Sequence, residues 1–167
     1  MNNENLLSKI SKMSEEELMD LARDTSDVET LNILVENQNF KVRCTVVGNK
    51  NTPVEKLTVL AQDKDMWVRQ TVALNENTSV DVLAMLAQDE KWQVRSAVAK
   101  SKNTSVETLA MLASDKEAWI RWAVARNENT PIELLTILAQ DTDWRVRIDV
   151  AETKNTNIET LPMLAKD

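Results

Sequence analysis

The chain has 167 residues, 43% of them apolar and 28% charged, with a net charge of −7. That composition describes one folded domain with a sizeable core, and the acid excess works against nonspecific attraction to nucleic acid or anionic lipid. The single cysteine, Cys44, excludes an internal disulfide and any cluster held by several thiolates, and the lack of histidine removes the commonest metal ligand together with the commonest general base.

Residues 5–13, with Leu6, Leu7, Ile10 and Met13 apolar, read as a short amphipathic helix. A second helix opens at Ser14, because Ser14-Glu-Glu-Glu17 is a capping box, and Leu18, Leu21 and Ala22 give it an apolar stripe. Residues 1–25 are therefore expected to form an N-terminal helical cap. No basic leader and no run of about 18 apolar residues is present, so neither a signal peptide nor a membrane span is expected, and the location is expected to be cytoplasmic.

From Ser26 the sequence repeats every 26 residues. Ser26, Thr52, Thr78, Thr104, Thr130 and Thr156 each stand three residues before an acid (Glu29, Glu55, Asp81, Glu107, Glu133, Glu159), which predicts six capped helix starts, with Pro53 and Pro131 at the first helical position. In the unit that follows Thr52, Val54, Leu57, Leu60 and Ala61 share one face of a first helix, and Val68, Val72 and Ala73 one face of a second. Leu60-Ala-Gln-Asp63 breaks the alternation that a strand-based leucine repeat would need. Each unit is thus two short helices that cannot bury enough alone and must stack on neighbours. The expected fold is all-α, a solenoid of two-helix repeats: five full repeats over 26–155 and a truncated one over 156–167, where Pro162 would interrupt a helix.

Equivalent positions form columns. Arg43, Arg69, Arg95, Arg121 and Arg147 make one, and Asn37, Asp63, Asp89, Asp115 and Asp141 another, six residues earlier. Charge-assisted hydrogen bonds between the two predict a ladder that ties successive helix pairs together, in preference to a basic stripe for phosphate. Asn51, Asn77, Asn103, Asn129 and Asn155 precede each helix start and read as turn formers. The aromatics alternate in register: Phe40, Trp92 and Trp144 stand two before the recurring Val, Trp67 and Trp119 one before it. Lys50, Glu76, Lys102, Glu128 and Lys154 alternate in charge, so the true period spans two repeats. The Trp set is expected to pack between neighbours, with an aromatic recognition strip as the competing reading. Trp122 departs from its column of Cys44, Gln70, Ser96 and Ile148. With Arg126 and Lys100 it is the candidate contact site for a partner.

The phrase from Asn49 to Asp63, followed by Trp67-Val68-Arg69 and Val72-Ala73, resembles the bacterial leucine-rich repeat variant family. It is also similar to the wider HEAT-type class at the positions of Asp63, Val68 and Arg69. The resemblance spans residues 26–167 and implies a right-handed superhelix in which α-helices alternate with 3₁₀ helices. The repeat here is longer than the family's usual one, which leaves room for a second helix that is fully α. The family's founding type carries a cysteine-rich iron–sulfur segment, but Cys44 alone cannot carry that cofactor over, and none is expected.

No histidine, Gly-rich phosphate loop or nucleophile beside a base is present, so the first functional reading is a non-catalytic scaffold that binds a protein partner through its curved surface. The alternative is nucleic-acid binding or repair of the kind seen in HEAT-like DNA glycosylases, suggested by recurrent Trp and Asp. Recurrence in every unit argues against it, since a catalytic site should be unique. A weak homo-oligomer through a terminal helix is a third reading.

Overall fold

The computed structural model describes residues 3–152. The expectations for Asn155, for the truncated repeat over 156–167 and for Pro162 lie outside them. The chain divides into two compact units between Thr78 and Ser79, each described by itself.

The first unit holds α1 (Asn3–Ile10), α2 (Glu15–Asp24), α3 (Val28–Leu34), α4 (Phe40–Gly48), α5 (Val54–Leu60) and α6 (Met66–Leu74). α4 lies against both α2 and α6, while α3 and α5 fill the angles between consecutive even-numbered helices. The capping box at Ser14 forms: the Ser14 amide donates to Glu17 Oε2 at 2.7 Å and the Glu17 amide to Ser14 Oγ at 3.3 Å. The core is Leu31, Leu34, Val42, Val46, Leu57, Leu60, Val68 and Val72, all essentially without solvent contact.

The second unit repeats the plan with α7 (Val80–Leu86), α8 (Trp92–Lys100), α9 (Val106–Leu112), α10 (Ala118–Ala125), α11 (Ile132–Leu138) and α12 (Trp144–Glu152). Here α10 lies between α8 and α12. The protein is all-α among the described residues, with helix pairs recurring at a spacing of about 26 residues. Both helices of each pair are α-helical there, the outcome for which the longer repeat left room, in place of the α and 3₁₀ alternation of the family it resembles.

The structure moves the predicted helix starts. Asp27, Pro53, Ser79, Ser105 and Pro131 occupy the N-cap positions, one residue after the hydroxyl column, and Pro53 and Pro131 cap with no side-chain hydrogen bond. The threonines serve the helix that has just ended. Thr78, Thr104 and Thr130 are buried, and each hydroxyl donates at 2.6 Å to the carbonyl of the Val six residues back: Val72, Val98 and Val124. Thr52 does the same to Val46. Each of these carbonyls also accepts from the amide three residues on, so the hydroxyl supplies a second donor to a buried carbonyl in the last turn of the helix.

A second correction concerns the apolar stripe of the first helix. Leu57, Leu60 and Ala61 are buried, but Val54 is 46% exposed, as are its counterparts Val80 and Val106 to similar degrees. A helical Cβ tilts toward the N-terminus, so at the first helical residue the side chain points past the turn and away from the core.

Candidate functional site

The repeat boundaries are built from the Arg and Asp columns. Within a repeat the link runs to backbone: Arg43 Nη1 donates to Asn37 O at 2.6 Å, Arg69 to Asp63 O at 2.8 Å, Arg95 to Asp89 O at 2.7 Å, Arg121 to Asp115 O at 2.8 Å and Arg147 to Asp141 O at 2.9 Å. The carboxylate belongs to the next repeat. Arg95 grips Asp115 through Nε at 2.6 Å and Nη2 at 3.1 Å, and Arg121 grips Asp141 at 2.6 and 2.8 Å. Each such Asp also accepts from the amide two residues on, which sets the turn into the next helix.

Burial is the largest influence on the carboxyls of Asp63, Asp115 and Asp141 and pushes each up. The guanidinium hydrogen bonds, the turn amide and the charge attraction together outweigh it and hold all three below the ordinary value. In the partner arginines the hydrogen bond to Asp is foremost and raises the pKa. These residues are committed to structure.

A second column also clasps neighbours. Asn49, Asn75 and Asn127 stand two residues before the asparagines singled out in the sequence. Asn49 Nδ2 donates to the carbonyls of Ala22 at 2.8 Å and Thr25 at 2.8 Å, and Asn127 Nδ2 to those of Ala99 at 2.7 Å and Ser101 at 2.9 Å. Asn75 donates to Val47 O. Each Oδ1 accepts from the amide two residues on. The recurrence of Asn at 49, 75 and 127, with Ser101 at the intervening position of the 26-residue period, was the available signal.

The expected interleaving of the Trp rings is not what forms. Trp67, Trp92, Trp119 and Trp144 are 44–60% exposed. Each lies in the first turn of an even-numbered helix, where, as at Val54, the side chain projects past the core.

Trp122 is different. It is half-buried on α10, and its ring meets that of Trp119 edge to face, 5.9 Å between centroids. The Arg126 guanidinium lies over Trp122 at 5.0 Å and that of Arg145 over Trp119 at 4.5 Å. Both cations are anchored: Arg126 Nη1 donates to Asp149 Oδ1 at 3.1 Å, and Arg145 holds Asp143 by two bonds of 3.0 and 2.7 Å. The hydrogen bonds from Arg145 are the chief reason the Asp143 carboxyl falls to about 2. Trp119 and Trp122, three residues apart on one helix face, and Arg145 in the column of Trp119, were legible in the sequence but not combined.

Trp122, Arg126 and Lys100 come together in one groove of about 320 Å³, completed by Lys102, Ala123, Asn127 and Glu128. Lys100 lies at the end of α8, and Lys102 and Glu128 in the turns after α8 and α10. Neither lysine pairs with a carboxylate among the described residues, so the groove presents uncompensated positive charge beside an aromatic ring. Among those residues no three His, Cys, Asp or Glu side chains gather where they could hold a metal, and no helix is long and apolar enough to cross a membrane.

Paired short helices, with arginine clamps from Arg43, Arg95 and Arg121 and asparagine clasps from Asn49, Asn75 and Asn127, define an α-helical repeat protein. The chain is similar to a solved leucine-rich repeat variant described as a novel repetitive structural motif: 27% identity, TM-score 0.72, with 99% of this chain and 71% of that one covered. It is also similar to YibA of Escherichia coli, at 18% identity and TM-score 0.55 over 90% of this chain and 73% of that one, a likeness of fold alone. No protein-family model matches the sequence, and no curated protein does.

Proposed function

We propose that this repeat protein is a non-catalytic scaffold of the cytoplasm that binds a protein partner, with the Trp122 groove as the point of contact. The observation that carries the reading is the groove: a half-buried Trp with a guanidinium laid on its face and two unpaired lysines on its rim. Trp and Arg are the residues on which interface energy concentrates, and a ring whose partners already hold it loses little entropy on binding. The sequence has no histidine, and the groove sets no nucleophile beside a base, which supports a role without catalysis.

The test is affinity capture from extract of the source cell with the intact protein and with Trp122→Ala and Arg126→Gln variants. Thermal unfolding of each variant separates a lost contact from a lost fold. A protein retained by the parent and lost with both variants supports the reading; recovery unchanged by either overturns it. The exposed Trp67, Trp92, Trp119 and Trp144 favour the nucleic-acid alternative. A mobility shift on short duplexes and single strands at about 50 mM salt checks that alternative, and no shift ends it.

A further inference from the structure

The groove has a counterpart in the other unit. Val47, Gly48, Lys50, Thr71, Leu74, Asn75, Glu76 and Asn77 line a cavity of about 300 Å³, and all of these positions except those of Val47 and Asn77 recur in the Trp122 groove two repeats later. Part of the frame is kept: Lys50, Asn75 and Glu76 correspond to Lys102, Asn127 and Glu128. The rim is not. Gly48 becomes Lys100, Leu74 becomes Arg126, and Gln70 of the same helix becomes Trp122. A Cβ placed on Gly48 meets nothing within 4 Å, so a side chain at this point of the frame projects into open space. The same cavity thus occurs once without and once with an aromatic ring and two added cations.

We propose that the Trp122 groove recognises an acidic peptide segment, with a side chain of the peptide against the Trp122 ring and its carboxylates on Lys100, Lys102 and Arg126. The inference rests on the protein-binding reading above and names the partner's chemistry. Lys100, Lys102 and Arg126 meet two carboxylates, Glu128 in the lining and Asp149 on Arg126, so in a chain of net charge −7 the groove keeps a local excess of positive charge that steers an anionic partner to it. Asp149, nine-tenths buried, and the Trp122 face orient Arg126, while the exposed lysines pair with no carboxylate among the described residues. A nucleic-acid strand fits less well. The Asn127 amide that could read a base edge is spent on the Ala99 and Ser101 carbonyls.

Fluorescence anisotropy decides it, with the full chain and three labelled probes: a short peptide of glutamates and leucines, the same peptide with glutamine for glutamate, and a short oligothymidylate. The acidic peptide is expected to bind about tenfold more tightly than the neutral one, and to lose about tenfold in Trp122→Gln and in the pair Lys100→Glu with Lys102→Glu. The groove two repeats earlier already carries Gln at the first position, and both lysines are exposed, so thermal unfolding should show the fold kept. Equal affinity for the two peptides, lost in Trp122→Gln, overturns the acidic partner and leaves peptide binding standing. Binding of neither peptide overturns both readings, and tighter binding of the oligothymidylate overturns them in favour of nucleic acid.

Discussion

Arg43 Nε and Nη2 donate to the two carboxylate oxygens of Asp63 at 2.6 and 2.8 Å, while Nη1 of the same guanidinium donates to the carbonyl of Asn37. One side chain therefore closes its own repeat and takes hold of the next. Its planar fork is what makes both possible; a lysine would offer a single point of charge. Both side chains are nearly buried, at 6% and 8% exposure.

Asp63→Ala leaves the Arg43 charge buried without its carboxylate and is expected to cost about 3 kcal/mol in urea unfolding. Asn37→Asp, which puts the same carboxylate in the first repeat, is expected to gain nothing beyond about 0.5 kcal/mol. The residue twenty places earlier, where the arginine would be, is Glu17, and it is committed to the capping box. A gain of more than that from Asn37→Asp would show that the clamp does not depend on the preceding arginine.

The clamps set the acid limit of stability. The folded pKa of Asp63, Asp115 and Asp141 lies below the ordinary value. Their contribution is therefore complete above the unfolded pKa of about 3.9 and drains away as pH falls through the lower folded pKa. The urea midpoint of the parent should fall steeply over that window, and that of Asp115→Asn with Asp141→Asn much less. Parallel pH profiles would refute the assignment.

The two asparagine columns should differ. Asn127→Ala strips the buried carbonyls of Ala99 and Ser101 of their donor, for an expected loss of about 1 to 3 kcal/mol. The equivalent change at Asn51, whose amide reaches Thr25 O only at 3.4 Å, should cost less than about 1 kcal/mol. Chemical denaturation of the two variants side by side checks the order.

Thr104→Val keeps the shape of the side chain and removes the hydroxyl that donates to Val98 O, so a buried carbonyl loses that donor. The expected loss is about 1 to 3 kcal/mol, with Thr104→Ser largely restoring it. A Val variant as stable as the parent would mean that the hydroxyl is a passenger.

The sequence by itself determined the period, the all-α class and the pairing of two short helices. A repeat spacing and a 3.6-residue apolar pattern are properties of order along the chain, and hydrophobic burial then leaves little choice at Leu57, Leu60, Val68 and Val72. Trp122 was also legible as a departure from its column, with Arg126 and Lys100 beside it as a candidate contact site. Only the tertiary structure decided the direction of each polar side chain. The Thr column looks like a set of N-caps because Thr before an acid is a local signature, but the hydroxyl turns back to a buried carbonyl at the end of the previous helix. The Arg and Asp columns read as a ladder between successive helix pairs, but order along the chain does not say which Asp each Arg takes: the guanidinium finds a backbone carbonyl six residues back and a carboxylate twenty residues on. The Trp set reads as core by hydrophobicity, while its place at helix starts turns it toward water. A hydrogen-bonding group chooses its partner by distance and angle in space, and a stacked fold brings nearest what the chain keeps far apart.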